Sequence, residues 1–120
     1  QQIIGKLESA IITLVHYRDS KSTQNISNYL SSQLNSDYSA LSKLFSEVTG
    51  LTIERYYIEQ RIERVKELIR YDELNLTQIS LQMNYSSVAY LSSQFKSVTG
   101  MTPTEFKALR KNTRKNLDSI

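Results

Sequence analysis

Apolar side chains recur every three or four residues along most of the chain, a period that predicts helices rather than strands. Residues 2–17 show this period first, with five apolar positions on one side: Ile4, Leu7, Ile11, Leu14 and Val15. A polar stretch interrupts the pattern, which resumes at Ile26. We therefore predict a lead helix over 2–17 and a second helix with Asn25 as its N-cap.

The same period predicts five further helices. One helix opens at Asp37, a longer one runs over 53–71, and short ones follow Asn75 and Pro103. The remaining helix opens at Ser86. Three glycines and one proline offer few turns for a multistranded sheet, so we expect an all-α fold of about seven helices.

Residues 41–50 (LSKLFSEVTG) and 91–100 (LSSQFKSVTG) repeat one another. Six positions are identical in register: Leu41/Leu91, Ser42/Ser92, Phe45/Phe95, Val48/Val98, Thr49/Thr99 and Gly50/Gly100. A repeat indicates that one supersecondary unit is used twice. Two copies are too few for a stacked array and suggest a device that meets two equivalent sites on a periodic partner.

Each copy is predicted to be the second helix of a helix–turn–helix unit. The first turn is expected at Asn35-Ser36-Asp37, with Asp37 as the cap, and the second at Asn84-Tyr85, with Ser86 as the cap. The repeated apolar residues, including Val48 and Val98, are expected to point inward.

The predicted organisation is homeodomain-like, with two helix–turn–helix subdomains joined by a long central helix. Residues 1–51 hold the lead helix and the first subdomain, 52–72 the linker helix, 73–115 the second subdomain and 116–120 a tail. The linker helix would be roughly 28 Å long at about 1.5 Å per residue.

Basic charge is concentrated near the end of a chain whose net charge is +3. Residues 1–95 carry 9 basic and 10 acidic side chains, whereas residues 96–115 carry six basic ones against Glu105 alone. A basic segment often follows a polyanion. A solvated last helical turn explains the same pattern equally well.

Other function classes have little support. There is no cysteine for a disulfide or a thiolate metal site, and His16 is the single histidine. No set of residues resembles a nucleophile with its base and orienter, and no apolar run approaches the ~18 residues of a membrane span. We expect a cytoplasmic, non-enzymatic protein without metal or cofactor and away from membranes.

The outward faces of the two repeated helices share small hydroxyl side chains. Such residues let a helix approach DNA closely, hydrogen-bond either type of base and touch thymine methyl groups. The second helix of a helix–turn–helix unit does this in the major groove. A single serine-rich face is more simply a solvated one, but two copies in register favour DNA binding.

From about Thr23 to Leu109 the chain resembles the DNA-binding domain of the AraC/XylS family of bacterial transcription regulators. The stretch IERVKELIRYDELNLTQISLQMNYSSVAYLSSQFKSVTGMTPTEFKALR follows that family's signature. Its positions in the signature are Arg61, Asn75, Ile79, Ser80, Phe95-Lys96, Gly100, Thr102-Pro103 and Phe106. Ser80, like Ser31 in the first unit, stands in place of the usual small alanine. Tyr85-Ser86 stands in place of the usual Phe-Ser. Asn35 and Asn84 replace a common glycine, and asparagine tolerates the left-handed backbone that this turn needs.

The resemblance implies which side chains meet double-stranded DNA. The first recognition helix, about 37–48, would present Tyr38, Ser39, Ser42 and Lys43. The second, about 86–98, would present Ser87, Val88, Ala89, Ser92 and Ser93, with Lys96 near phosphate. Further candidates for phosphate contacts are Asn25, Asn75 and Lys107.

Ser93 departs from the arginine that many relatives place there. The second unit then lacks a strong guanine reader, so specificity is expected to depend on the first unit through Lys43. We expect the two helices to occupy successive major grooves, about 34 Å apart, and a monomer to read roughly two helical turns of DNA.

The resemblance also implies partners beyond DNA. RNA polymerase is one, and a sensing or dimerising domain, which the family usually pairs with this one, is another. Separately, the chain opens on Gln1 rather than methionine, so we expect a fragment of a longer protein. The alternative is a helical protein-interaction module without DNA binding, supported by the charged linker helix and the low net charge. A steep dependence of duplex binding on salt would discriminate the two.

Overall fold

The computed structural model describes residues 2–17 and 26–109. Within these ranges there are helices and no strands, which confirms the all-α prediction. Six helices have both ends described: α1 (Gln2–Tyr17), α2 (Ile26–Leu34), α3 (Tyr38–Thr49), α4 (Ile53–Tyr71), α5 (Leu76–Gln82) and α6 (Val88–Thr99). A seventh, α7, is helical over 103–109.

The chain divides into two units between Arg61 and Ile62. This boundary lies inside α4, so each half of that helix contributes to the core of one unit. The first unit contains α1, α2, α3 and the first half of α4. The second contains the rest of α4 with α5, α6 and α7.

The first unit is built around α1, which packs against both α2 and α3. Its buried apolar side chains form one cluster, as the helical spacing predicts: Ile4, Leu7, Ile11, Leu14, Tyr29, Leu30, Leu41, Phe45 and Ile53. The ring of Phe45 meets that of Tyr56 edge-on at a centroid distance of 5.5 Å. The lead helix is therefore an integral part of this core.

In the second unit, α5 packs against α6, and α7 covers the same core. The buried apolar side chains are Ile62, Val65, Leu68, Ile69, Ile79, Met83, Tyr85, Leu91 and Phe95. Phe95 meets Phe106 of α7 edge-on at 5.6 Å, and the Arg70 guanidinium lies over the Phe106 ring at 5.9 Å. These contacts fix α7 against α6 and the end of α4.

The turns inside the two units share a left-handed asparagine. Asn35 has φ 54° and Asn84 has φ 61°, as expected for residues that replace glycine. Asp37 occupies the N-cap of α3 with extended backbone, but its side chain makes no capping bond.

The cap predicted at Ser86 is wrong, because the N-cap of α6 is Ser87. Its hydroxyl accepts the backbone N–H of Tyr90 at 3.0 Å. The distance from the left-handed asparagine to the cap is thus two residues in the first turn and three in the second. Asn25, the predicted cap of α2, lies outside the described residues.

The repeated Thr-Gly pair closes both second helices in the same way. Gly50 and Gly100 are left-handed, with φ 78° and 86°. The Thr49 hydroxyl donates to the Phe45 carbonyl at 2.7 Å and accepts the Leu51 N–H at 3.1 Å. Thr99 makes the equivalent bonds to Phe95 and Met101 at 2.8 and 3.2 Å. The repeated threonine therefore serves the helix end.

Val48 does not point inward as predicted, since it is 49% exposed, whereas Val98 is half-buried. Helical spacing places a residue on the apolar side of its helix, but it does not say whether another element covers that position. At Val48, in the last turn of α3, no element of the described residues covers the side chain.

Gly50 and Gly5 make a matched pair for testing the left-handed helix end. A Cβ at either position would meet no atom within 4 Å, but only Gly50 has positive φ. We expect Gly50→Ala to lower the free energy of unfolding by about 1–2 kcal/mol, because left-handed backbone strains alanine. Gly5→Ala, inside α1, should raise it by about 0.5–1 kcal/mol. Urea denaturation measures both, and equal effects would contradict this assignment.

Candidate nucleic-acid interface

The first recognition helix, α3, is held by two side chains one turn apart. Leu41 and Phe45 are almost fully buried, which orients the opposite side of the helix outward. Ser39 and Lys43 are exposed on that side, and Ser42 is half-buried at its margin. Three of the four predicted base-contacting residues thus share one accessible surface.

Tyr38, the fourth, has a different environment. It is half-buried, and its hydroxyl donates a hydrogen bond to the Glu54 carboxylate in the first turn of α4. Burial, and then the bond to Glu54 and its negative charge, raise the pKa of Tyr38 above its usual range. Donation to a base through this hydroxyl would require the bond to Glu54 to break, because a phenol has one proton to give.

The second recognition helix, α6, is pinned in the same way by Leu91 and Phe95, both fully buried. Among its predicted contact residues, Ser87, Ala89, Ser93 and Lys96 are exposed, while Val88 and Ser92 are half-buried. The outward face is therefore made of very short side chains followed by one lysine.

Two of the three additional phosphate-contact candidates, Asn75 and Lys107, already have partners within the second unit. The Asn75 N–H donates to the Gln78 side chain, and the Gln78 N–H donates to the Asn75 side chain, both at 2.8 Å. These two bonds form a capping box at the start of α5. The Lys107 ammonium lies 3.0 Å from the Asp72 carboxylate. Asn25 lies outside the described residues.

Charge differs between the two recognition helices. Asp37 occupies the N-cap position before α3, and Glu47 stands one turn after Lys43, so acidic residues precede and follow that lysine along the chain. Within α6 the only charged side chain is Lys96. The nearby Glu105 closes a capping box with Thr102, whose hydrogen bonds lower the pKa of Glu105, and the Lys96 cation lowers it further.

Two units of one design, each presenting the outer face of its second helix, are what a double helix–turn–helix protein requires. A sequence model described as a helix-turn-helix domain matches residues 30–109. The chain belongs to the AraC-type helix–turn–helix family. The family resemblance predicted from the sequence is confirmed.

Known proteins similar to this AraC-type domain are regulators or their domains. The Msm operon regulatory protein of Streptococcus mutans is 30% identical over 80 residues, which are 67% of this chain and 29% of that protein. Across the first curated relatives, the chain spans 14% to 29% of their length.

Two solved structures share the fold. The C-terminal domain of AraT, a response regulator from Geobacillus stearothermophilus, has a TM-score of 0.74 and 22% identity, covering 91% of this chain and 86% of that one. The DNA-binding domain of AdpA, solved in complex with a target DNA, has a TM-score of 0.73 and 16% identity, covering 92% and 96%.

No described helix of this AraC-type domain is long and apolar enough to cross a membrane. Among residues 2–17 and 26–109, no group of histidine and acidic side chains has the arrangement of a metal site.

Tyr90, in the first turn of α6, is 53% exposed although it is a large aromatic residue. Its ring meets that of the buried Tyr85 edge-on at 5.7 Å. The matching position of the first unit is the exposed Ala40. The difference between Ala40 and Tyr90 is visible in the sequence, because the two positions directly precede the repeated segments.

Tyr38→Phe tests the bond to Glu54. The variant keeps the ring but removes the donor, so we expect the free energy of unfolding at pH 8 to fall by about 0.5–1.5 kcal/mol in urea denaturation. The raised pKa of Tyr38 also makes the free energy of unfolding depend on pH. Above about pH 10 the unfolded chain releases the phenol proton while the folded state retains it, so the parent loses stability as pH rises.

The phenylalanine variant should lose less stability over that alkaline window. Tyr71→Phe, at a position 68% exposed, controls for the substitution itself. Parallel pH profiles for the parent and Tyr38→Phe would contradict the assignment.

Proposed function

We propose that this AraC-type domain binds double-stranded DNA in a sequence-dependent manner and, within a longer protein, regulates transcription. One observation carries the proposal: two helix–turn–helix units each present an outward helix face of small hydroxyl side chains and a lysine. The names of the relatives add support, since they are transcriptional regulators.

In this proposal each unit places its second helix in a major groove, and the two units use successive grooves. The short side chains permit close approach of the helix backbone to the base edges. Ser39 and Ser42 on α3, and Ser92 and Ser93 on α6, can donate to or accept from either type of base. Val88 and Ala89 suit thymine methyl groups.

Lys43 is the strongest base reader in the proposed interface. An exposed ammonium on the outer face of α3 can reach the O6 and N7 acceptors of guanine. The equivalent position of α6 is Ser93, which has neither the charge nor the length. Sequence preference should therefore depend more on the first unit.

Phosphate contacts would position the domain without reading sequence. Lys96 is exposed at the outer face of α6 and is the leading candidate. Lys107 would contribute only by sharing its charge between Asp72 and a phosphate. Asn25 and Asn75 complete the proposed set, and Asn75 would have to exchange the bond between its N–H and the Gln78 side chain for one to a phosphate.

The proposal extends to the setting of the whole protein. Because the chain spans under a third of its first relatives, a sensing or dimerising domain elsewhere in the protein would supply the signal. RNA polymerase is the proposed partner at the promoter, and the bacterial cytoplasm the proposed location.

Duplex affinity measured against salt tests the proposed function. A reference site is first selected from a random duplex library, and its affinity is compared with that of a scrambled duplex. For about three neutralised phosphates, affinity should fall roughly 40-fold between 50 and 200 mM salt. Absent or salt-insensitive binding would instead favour a protein-interaction module.

Lys43→Ala tests the proposed guanine reader. At equal salt we expect a loss of about 5- to 150-fold on the selected site, with relaxed preference at one base pair. Ser93→Ala, at the equivalent position of α6, is the matched control and should change affinity by less than about threefold. The opposite result, with Lys43→Ala unchanged and Ser93→Ala impaired, would reverse the assignment of the two units.

A further inference from the structure

Tyr90 is a large aromatic side chain at the surface of its unit. It lies in the first turn of α6 and is 53% exposed, whereas the matching residue of the first unit is Ala40. The second unit therefore presents a phenol where the first presents a methyl group. N-terminal residues of a recognition helix are those that meet DNA.

The ring of Tyr90 packs against a buried aromatic residue, Tyr85. It meets the Tyr85 ring edge-on, with centroids 5.7 Å apart and planes at 64°. Tyr85 is itself buried, and its hydroxyl donates to the Gln94 side chain at 2.6 Å. An exposed side chain on such a support loses little conformational freedom when it binds a partner.

Helical geometry places Tyr90 at the margin of the proposed base-reading surface. Each residue turns the helix by about 100°, so Tyr90 lies about 60° from Ser93 on the side away from Ser92. The base-reading candidates Val88, Ala89, Ser92 and Ser93 all have side chains of three or fewer heavy atoms. A longer side chain beside them would reach the sugar-phosphate backbone at the side of the groove rather than the base edges.

We infer that Tyr90 is an additional DNA-contacting residue of the second unit, whose hydroxyl donates to a phosphate oxygen at the edge of the major groove. This inference rests on the proposed function. Tyrosine hydroxyls are among the donors that proteins direct to phosphates, and such contacts set register and orientation. Tyr90 thereby gives α6, which lacks a strong base reader, a fixed position in its groove.

Tyr90→Phe isolates the hydroxyl, because phenylalanine retains the ring contact with Tyr85. We expect its affinity to fall about three- to tenfold, by the same factor on the selected and the scrambled duplex. A neutral donor releases no counterion, so the slope of log affinity against log salt should stay that of the parent. Lys96→Ala should instead lower that slope by about one.

Tyr71→Phe, in α4, is the matched control and should bind as the parent does. Equal melting temperatures of the parent and Tyr90→Phe would show that the loss arises at the interface. Unchanged affinity of Tyr90→Phe would overturn the inference, and so would a loss confined to one base pair, which would indicate base reading. If the parent itself shows no salt-dependent duplex binding, the proposed function fails instead.

Discussion

The burial of one leucine and one phenylalanine, a single turn apart, determines how each recognition helix faces solvent. Leu41 with Phe45, and Leu91 with Phe95, are almost completely buried. Because residues four apart lie on the same side of a helix, this pair fixes the rotation of the helix about its axis. The exposed positions then follow from geometry alone. Losing either side chain would cost several kcal/mol and would also release that rotation, so stability and the accessible surface depend on the same contacts.

The remaining identities in the repeat serve the same purpose. The threonine hydroxyl bonds across the helix end, and the following glycine takes the left-handed conformation that turns the chain toward the next helix. Thr52 and Thr102 then cap α4 and α7 by accepting the N–H groups of Arg55 and Glu105. What the two copies share is thus a pinned helix with a defined end.

Much of this could be predicted because it is local. The period of apolar residues placed α1 and α4, and the turn chemistry of asparagine and glycine placed the left-handed residues. The failures involve contacts between elements. Val48 has the right spacing, but no element of the described residues covers it. The N-cap of α6 is Ser87 rather than Ser86, because the second turn is one residue longer than the first. The bond from Tyr38 to Glu54 joins residues 16 apart in sequence, and no local pattern indicates it. For the recognition residues themselves, the period of apolar residues predicted which helix face is exposed. It did not predict which side chain contacts a base and which a phosphate.

The two copies differ where the scaffold leaves them free to differ. Along the chain, Lys43 of α3 stands between Asp37 and Glu47. The two acids weaken the attraction of this region to phosphate at long range. At short range, Lys43 can still pair with a base acceptor. In α6 the lysine has no acid on its own helix, and the neighbouring side chains are too short to pair strongly with guanine. Under the proposed function, this difference suits α3 to base discrimination and α6 to phosphate contact. The inferred phosphate contact of Tyr90, in the first turn of α6, fits that proposed division, since a helix with weak base contacts needs another contact to fix its register.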